Sequence, residues 1–392
     1  MTEIAGELGS EASGAPRPQL DVGIVHDWMP GLAGGERVVQ QMAATFPNSK
    51  IYTLFDFLSA AERAEVSGGA PIEVSRLNTW PGVQKYYRYL LLQCTRAIEE
   101  FNVTHHEVVL SSSAALAKGV ITSPEQPHIA YIHSPARYAW DLTHEYIDEL
   151  GGFAAGLKKR AAREMMHRFR KWDMRTVAQV DHYVANSEFI RKRIWKTWRR
   201  EAQVIYPPVD TSAFDLGTGP REEFYFTASR MVPYKRIPMI VAAFNARPHL
   251  KLVVSGDGPE MDKVRALAGA NIELLGHVPF ETLREKMQKA RAFVFAAKED
   301  FGIVPVEAQA CGCPVIALGH GGTAETVRNL GMDDPTGVWF DRQTAEDLGA
   351  AVDRFEAELS AFNAEACRNN ALSFGVARFR RELEDCVRAQ LA

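Results

Sequence analysis

From Asp21 onward the chain alternates two patterns. Short runs of consecutive apolar, mostly β-branched residues are followed by stretches in which apolar positions recur every three or four residues. DVGIVH (21–26) shows the first pattern and ERVVQQMAATF (36–46) the second, with the Gly-rich turn PGLAGGE leading into it. KIYTLF, EVVLSSS, HIAYIHS and DHYVANS continue the strand series. A small-residue helix is expected at AALAKG and an amphipathic one at SEFIRKRIWKTW, opening at Ser187. Continuous apolar runs are buried on both faces, the condition of a parallel sheet covered by helices on either side. The series restarts near Gln203. QVIYPPVD runs into a Pro-Pro turn, 211–222 reads as loop, and EFYFTAS, KLVVSGD, NIELLG, AFVFAA and PVIALG follow as strands with helices between them.

The pattern predicts an α/β chain with two Rossmann-like, doubly wound parallel-sheet domains, over 19–203 and 204–374, each with right-handed crossovers. The last helix, ARFRRELEDCVRAQL, lies within about 375–392 and is expected to pack back on the first domain. In open parallel sheets ligands sit outside the carboxyl ends of the strands. Two such sheets facing each other make a central cleft, so the chemistry is expected on loops that follow strands, from both halves.

Composition narrows the class. Of 392 residues, 46% are hydrophobic and 24% charged, which excludes a wholly disordered chain, a collagen-like rod and an integral membrane bundle. No apolar run reaches ~18 residues, the length that spans a bilayer as a helix. A net charge of −4 argues against a dedicated nucleic-acid binder. Five cysteines, with no CxxC pair and no zinc spacing, fit a reducing compartment and hence the cytoplasm. Residues 1–18 are acidic and rich in small residues. They lack the basic start and apolar stretch of a secretory signal and are expected to form a disordered tail.

Five segments carry candidate chemistry. Gly34 and Gly35, at a helix N-terminus, either admit an anion close to the backbone or merely make a tight turn. His133, just past a strand in YIHSPARYAWD, either donates to a sugar hydroxyl or phosphate or is a packed loop histidine. Tyr138 and Trp140 beside it form a sugar platform or pack. In TASRMVPYKR, Arg230 and Lys235 follow a strand and suit a diphosphate, or form a solvated basic loop. Gly256, in SGDGPE, permits close approach of a nucleotide, but a bare GxG is common. KEDFGIVPVEAQACGCPVIA is the most informative segment. Glu299 is expected at a strand end, Phe301-Gly302 in a turn, Pro305 at the first helical position and Glu307 at the third. Both acids would then face the cleft, although Glu307 alone reads equally as a helix-cap carboxylate.

Taken together these strings resemble the retaining family-four glycosyltransferases of GT-B architecture, over about residue 20 to the end. The resemblance rests on Glu299-DFGIVPV-Glu307 with EAQACGxPVIA, SRxxxxKR from Ser229, GDGPE, NSEFIRxRI from Asn186, VIYPPVD from Val204, AGGERVV and HSPARYAWD. It implies roles residue by residue. Arg230 and Lys235 would neutralise the donor diphosphate, Glu307 would bind the ribose, and Glu299 would hold hydroxyls of the donor sugar. Phe301, Gly302 and Ile303 would present backbone to that sugar, with Gly256 also on the donor side. Gly34 and Gly35 would lie near the diphosphate and acceptor, and His133 beside the reacting sugar. The segment HSPARYAWD has Ala136 where close relatives often carry methionine.

The chain has no Asp-x-Asp motif, so no metal–diphosphate clamp and no cofactor are expected. Fixed cations and N–H dipoles would stabilise the departing nucleoside diphosphate. The strings look most like bacterial GDP-mannose-dependent mannosyltransferases of exopolysaccharide or O-antigen (lipopolysaccharide) assembly. UDP-sugar donors are the alternative. A UDP-GlcNAc epimerase-like enzyme, a non-catalytic sugar-nucleotide sensor and an NAD enzyme fit less well.

Two stretches bear on the acceptor. LKKRAAREMMHRFRKWDMR holds eight basic residues against two acidic ones, and RKRIWKTWRR interleaves tryptophans with cations. Lys158, Lys159, Arg160, Arg191, Trp195 and Trp198 are therefore expected to face an anionic membrane or a lipid-linked saccharide acceptor. The competing reading is a solvated helix face with core tryptophans. A peripheral position at the inner face of the cytoplasmic membrane follows from the first reading.

Overall fold

The computed structural model describes residues 19–148, 150–152 and 154–391; the tail expected over 1–18 lies outside the described residues. The first sheet contains β1 (Val22–His26), β2 (Ser49–Thr53), β3 (Ile72–Val74), β4 (Val108–Ser113), β5 (His128–Ile132), β6 (His182–Ala185) and β7 (Gln203–Val204). Their spatial order is β3-β2-β1-β4-β5-β6-β7. The second contains β8 (Phe224–Ala228), β9 (Lys251–Ser255), β10 (Ile272–Gly276), β11 (Ala292–Phe295), β12 (Val315–Leu318) and β13 (Gly337–Phe340), in the order β10-β9-β8-β11-β12-β13. All pairings within both sheets are parallel.

The central strands β1, β4, β5, β8 and β11 are buried along their whole length, as continuous apolar runs require. Chain order reverses once in each sheet, between β1 and β4 and between β8 and β11. Crossovers leave in opposite directions at such a point and open a crevice outside the carboxyl ends. The topology thus nominates the loops after β1, β4, β8 and β11.

The helix Val376–Ala389 begins beyond the second sheet, yet its Phe379, Leu383, Cys386 and Val387 join Val22, Val39 and Tyr131 in the core of the first. Arg380 on its outer side reaches Gln41. Among the described residues no helix is long and apolar enough to cross a membrane.

The structure departs from the sequence pattern in four places. β3 and β13 were not expected. β3 has only three residues, Glu73 exposed between half-buried Ile72 and Val74, and β13 opens on Gly337 behind the loop-like DDPT. β7 is two residues long because Pro207 and Pro208 end the ladder. The helix expected at AALAKG is a three-residue 3₁₀ turn, Ala117–Gly119, because one carboxylate, that of Asp27, occupies the N–H groups around it.

Candidate active site

The second domain's switch point places a cation and a carboxylate in contact. After β8 the chain turns through Ser229 and Arg230 into the 3₁₀ turn Pro233–Lys235. Arg230 is exposed, and among the described residues it has no ion-pair partner. Its loop lies backbone against backbone on the turn after β9. Met231 N–H donates to Asp257 O at 2.8 Å, and a Cβ on Gly256 (φ +125°) would stand 1.8 Å from the Ser229 carbonyl oxygen. Gly256 thus supports the Arg230 loop by permitting this contact.

Lys235 is mostly buried, its ammonium 5.3 Å from the Phe295 ring centroid and 2.5 Å from Glu299 Oε1. Glu299 lies four residues beyond the end of β11, in a loop and not at the strand end expected. Gly321 and Gly322 pin that loop. Gly322 N–H donates to Glu299 O at 2.9 Å, and a Cβ on Gly322 would stand 2.2 Å from Phe301 Cα.

Phe301 is buried, its ring packed between Tyr206 and Phe374. Gly302 then adopts φ +88° and begins the helix Ile303–Ala310. The helix starts two residues earlier than expected, so Pro305 is its third residue and Glu307 its fifth. Proline is tolerated there because first-turn N–H groups have no intrahelical partner. Glu307 is therefore not a first-turn cap. Burial pushes its carboxyl up to about 7, with Asp210 adding to the shift and Arg37 of the first domain opposing it.

The first domain's switch point is built around two groups that follow β1. Asp27 is buried and accepts from four consecutive backbone N–H groups, those of Ala114 to Ala117, at 2.5–2.8 Å. His26 contacts Ser112 in β4, and Ser112 Oγ lies 2.8 Å from His133 Nε2. Burial and the neighbouring His26 push His133 down to about 3, so its ring is neutral at physiological pH. Gly34 and Gly35 are the first two residues of the helix Gly34–Thr45. A Cβ on Gly34 would stand 3.0 Å from Ile303 Cδ1, and one on Gly35 would stand 3.5 Å from His26 Cε1. This pair therefore links the His26–His133 side to the second domain's Glu307 helix.

Further contacts join the domains at the same place. Arg137 pairs with Asp300, the neighbour of Glu299. Ser187 Oγ donates to the Asp300 carbonyl at 2.6 Å, and Glu325 accepts from the N–H groups of Glu188 and Phe189 at 2.7 and 2.8 Å. Gly34, Gly35, His133, Lys235, Glu299, Phe301, Gly302, Ile303 and Glu307 thus lie on the facing switch-point loops and helix starts, with Arg230 beside Lys235.

The expected membrane or acceptor surface divides. Lys158 and Arg160 are exposed, Lys159 pairs with Asp148, and Arg191 pairs with Glu188. Trp195 is 46% exposed, with the Arg199 guanidinium over its ring. Trp198 is a correction: it is 5% exposed, and its Nε1–H donates to Asp173 Oδ2 at 2.9 Å. The Trp140 indole donates to the same oxygen, so Trp140 is not a sugar platform, and Lys118 pairs with the other oxygen at 3.0 Å. A buried carboxylate needs such partners, and they fix both tryptophans inside.

Sequence reasoning missed Asp27, Ser112, Arg137, Asp300, Glu325 and the Gly321-Gly322 pair. One had a readable signal: Asp27 directly follows an apolar strand run. The others act through partners more than 20 residues away, which no local pattern reveals.

Residues 209–372 match the family described as Glycosyl transferases group 1, and residues 32–213 match Glycosyltransferase Family 4. The D-inositol 3-phosphate glycosyltransferase of Mycobacterium marinum is 25% identical over 206 residues, which cover 46% of this chain and 43% of that protein. The GDP-mannose-dependent monoacylated alpha-(1-6)-phosphatidylinositol monomannoside mannosyltransferase of Corynebacterium glutamicum is 35% identical over 117 residues, 25% of this chain and 30% of that one. The chain spans less than half the length of these curated relatives. The crystal structure of Anabaena Alr3699/HepE in complex with UDP, 16% identical, superimposes with a TM-score of 0.67 over 94% of this chain and 99% of that one. The two family matches meet at residues 209–213, between the two sheets, and the chain has the GT-B architecture of the group 1 and family 4 glycosyltransferases.

Proposed function

We propose that the chain is a retaining, metal-independent glycosyltransferase that moves mannose from GDP-mannose to a lipid-linked or polysaccharide acceptor in bacterial surface-polysaccharide synthesis. The observation that carries this reading is the Lys235–Glu299 ion pair at the second domain's switch point. A glycosyl transfer needs positive charge where the diphosphate departs and acceptors where the sugar hydroxyls lie. Lys235 and Arg230 supply the first, and each charge-assisted hydrogen bond to phosphate adds ~1.5–3 kcal/mol. The start of the helix Ile303–Ala310 adds N–H dipoles that need no reorganisation as charge develops.

Glu299 accepts from hydroxyls of the donor sugar, Phe301 and Gly302 present backbone to it, and Glu307 accepts from the ribose. The acceptor enters from the Gly34–Gly35 side. The leaving phosphate takes the acceptor proton as the new bond forms on the same face, so Glu299 has no nucleophilic role.

GDP-mannose is favoured by the likeness to the Corynebacterium mannosyltransferase, which is GDP-mannose-dependent and acts on a phosphatidylinositol mannoside. The exposed Leu157, Lys158 and Arg160 at the start of one helix and Trp195 on another are apolar and basic groups of the kind that suit an anionic membrane. The UDP held by the Anabaena structure supports the second reading, a UDP-sugar donor on the same site.

Thermal denaturation with GDP, UDP, ADP and NAD, on wild type and Lys235→Ala, tests the reading. A nucleotide at ~100 times its dissociation constant adds ~2.7 kcal/mol of stability. Stabilisation by GDP alone, lost in Lys235→Ala, is expected. Preference for UDP would replace mannose as the donor sugar, and no response to any nucleotide would sink the proposal.

A further inference from the structure

Three residues at the carboxyl ends of neighbouring strands form a hydrogen-bonded chain whose direction can be read. His26 ends β1, Ser112 is in β4 and His133 follows β5. His26 Nδ1 lies 3.0 Å from the Ser112 carbonyl oxygen and 3.1 Å from Ser112 Oγ. A carbonyl oxygen can only accept, so His26 Nδ1 carries a proton and donates. The same N–H reaches Ser112 Oγ, which therefore accepts from the His26 side.

Ser112 is fully buried, and among the described residues the acceptor left for its hydroxyl proton is His133 Nε2, at 2.8 Å. If His133 Nε2 were the donor instead, that hydroxyl proton would be buried and unpaired, which folded proteins avoid. The hydroxyl thus donates to Nε2. In a neutral imidazole the nitrogen that accepts is the one without a proton, so Nδ1 carries it. Among the described residues Nδ1 of His133 makes no hydrogen bond, and His133 itself is only partly covered.

We infer that Ser112, oriented by His26, is a positioning residue that holds His133 in its Nδ1–H tautomer. His133 therefore meets the substrate as a neutral hydrogen-bond donor, to a hydroxyl or ring oxygen of the bound sugar, and not as a proton acceptor. The depressed basicity that burial and His26 impose on His133 agrees with this assignment. The sugar as recipient rests on the glycosyltransferase reading; the tautomer does not.

The test has two readouts. Long-range ¹H–¹⁵N correlation spectra of the ¹⁵N-histidine-labelled full chain, with the His133 signal assigned by its loss in His133→Asn, report the tautomer directly. The Nδ1–H pattern is expected, and an Nε2–H pattern in the wild type overturns the inference whether or not any variant folds. Kinetics with the preferred nucleotide sugar give the second readout. Ser112→Ala should lower kcat by about ten-fold, the scale of losing an outer-shell partner, with KM for the donor nearly unchanged. Ser112→Thr, which keeps the hydroxyl, should recover most of that loss. Equal kcat in Ser112→Ala and wild type overturns the positioning role. An Nδ1–H tautomer in a protein that transfers no sugar would support the hydrogen-bond chain and overturn only the sugar as its recipient.

Discussion

Glu307 is the carboxylate whose charge the fold perturbs most clearly within the site. Its pKa rises from 4.5 to about 7, chiefly through burial. The folded state therefore binds a proton that the unfolded state releases between those two values. Stability contributed by this group is present below pH ~4.5 and is lost as pH rises through ~7, by up to about 3 kcal/mol. Thermal denaturation from pH 4.5 to 8 should show Glu307→Gln losing that slope and matching or exceeding wild type at pH 8. A ribose hydroxyl donates more strongly to the ionised carboxylate of Glu307 than to the neutral acid. GDP affinity should then rise with pH up to ~7 and level off above it. The nucleotide's own phosphate titrates in this range, so the informative quantity is the difference between wild type and Glu307→Gln by calorimetry. Identical slopes would remove Glu307 from the ribose site. Asp27 gives a sharper structural prediction. Asp27→Asn replaces one carboxylate oxygen with an NH₂ group facing two backbone N–H donors, so it should cost about 2–4 kcal/mol in denaturant unfolding.

At the scale of elements, the start of the helix Ile303–Ala310 controls the donor side of the site. Gly302 sits at φ +88°, and a Cβ there would also stand 3.3 Å from Thr323 Cγ2. Gly302→Ala should cost about 1–2 kcal/mol of stability, the price of a left-handed alanine, and should reduce nucleotide-sugar binding far more than mutation of an exposed loop glycine such as Gly219. Unchanged binding in a correctly folded Gly302→Ala would show that this turn does not present backbone to the donor. The same element shows what the sequence makes legible. The apolar runs locate the central strands, and strand-to-loop junctions place Arg230, Lys235 and His133 after strands as expected, because burial on both faces writes itself into consecutive residues; Glu299 falls four residues past its strand and not at its end. The helix start was misplaced by two residues because a proline suits any first-turn position, whereas the glycine before it takes the positive φ that begins the helix. Trp198 was misread because one helix carries both an exposed and a buried tryptophan. The buried Asp173 that holds the inner one lies 25 residues away.

At the scale of the molecule, polar contacts between the two domains come from the segments after β5, β6, β11 and β12. Asp300 receives Arg137 on its carboxylate and Ser187 on its carbonyl, Glu325 receives two N–H groups at the start of the helix Glu188–Trp198, and the Lys298 ammonium lies over Phe189. Asp300 is the residue next to Glu299, so separating the domains would pull directly on the loop that carries the site. Arg137 and Asp300 are each mostly buried, with side chains 25% and 20% exposed, so truncating one partner leaves the other charge poorly solvated. Arg137→Ala should disfavour the closed arrangement by about 1–2 kcal/mol, a factor of roughly 5–30 in the closed-to-open ratio. Small-angle scattering should then show a larger radius of gyration, and kcat/KM should fall without loss of the helical circular dichroism signal. The exchange Arg137→Asp with Asp300→Arg restores the attraction with its polarity reversed and should recover part of both losses. An unchanged scattering curve together with wild-type turnover in Arg137→Ala would mean that the remaining contacts, those of Ser187, Glu325 and the helix Val376–Ala389 among them, hold the domains, and that the Arg137–Asp300 pair is incidental to closure.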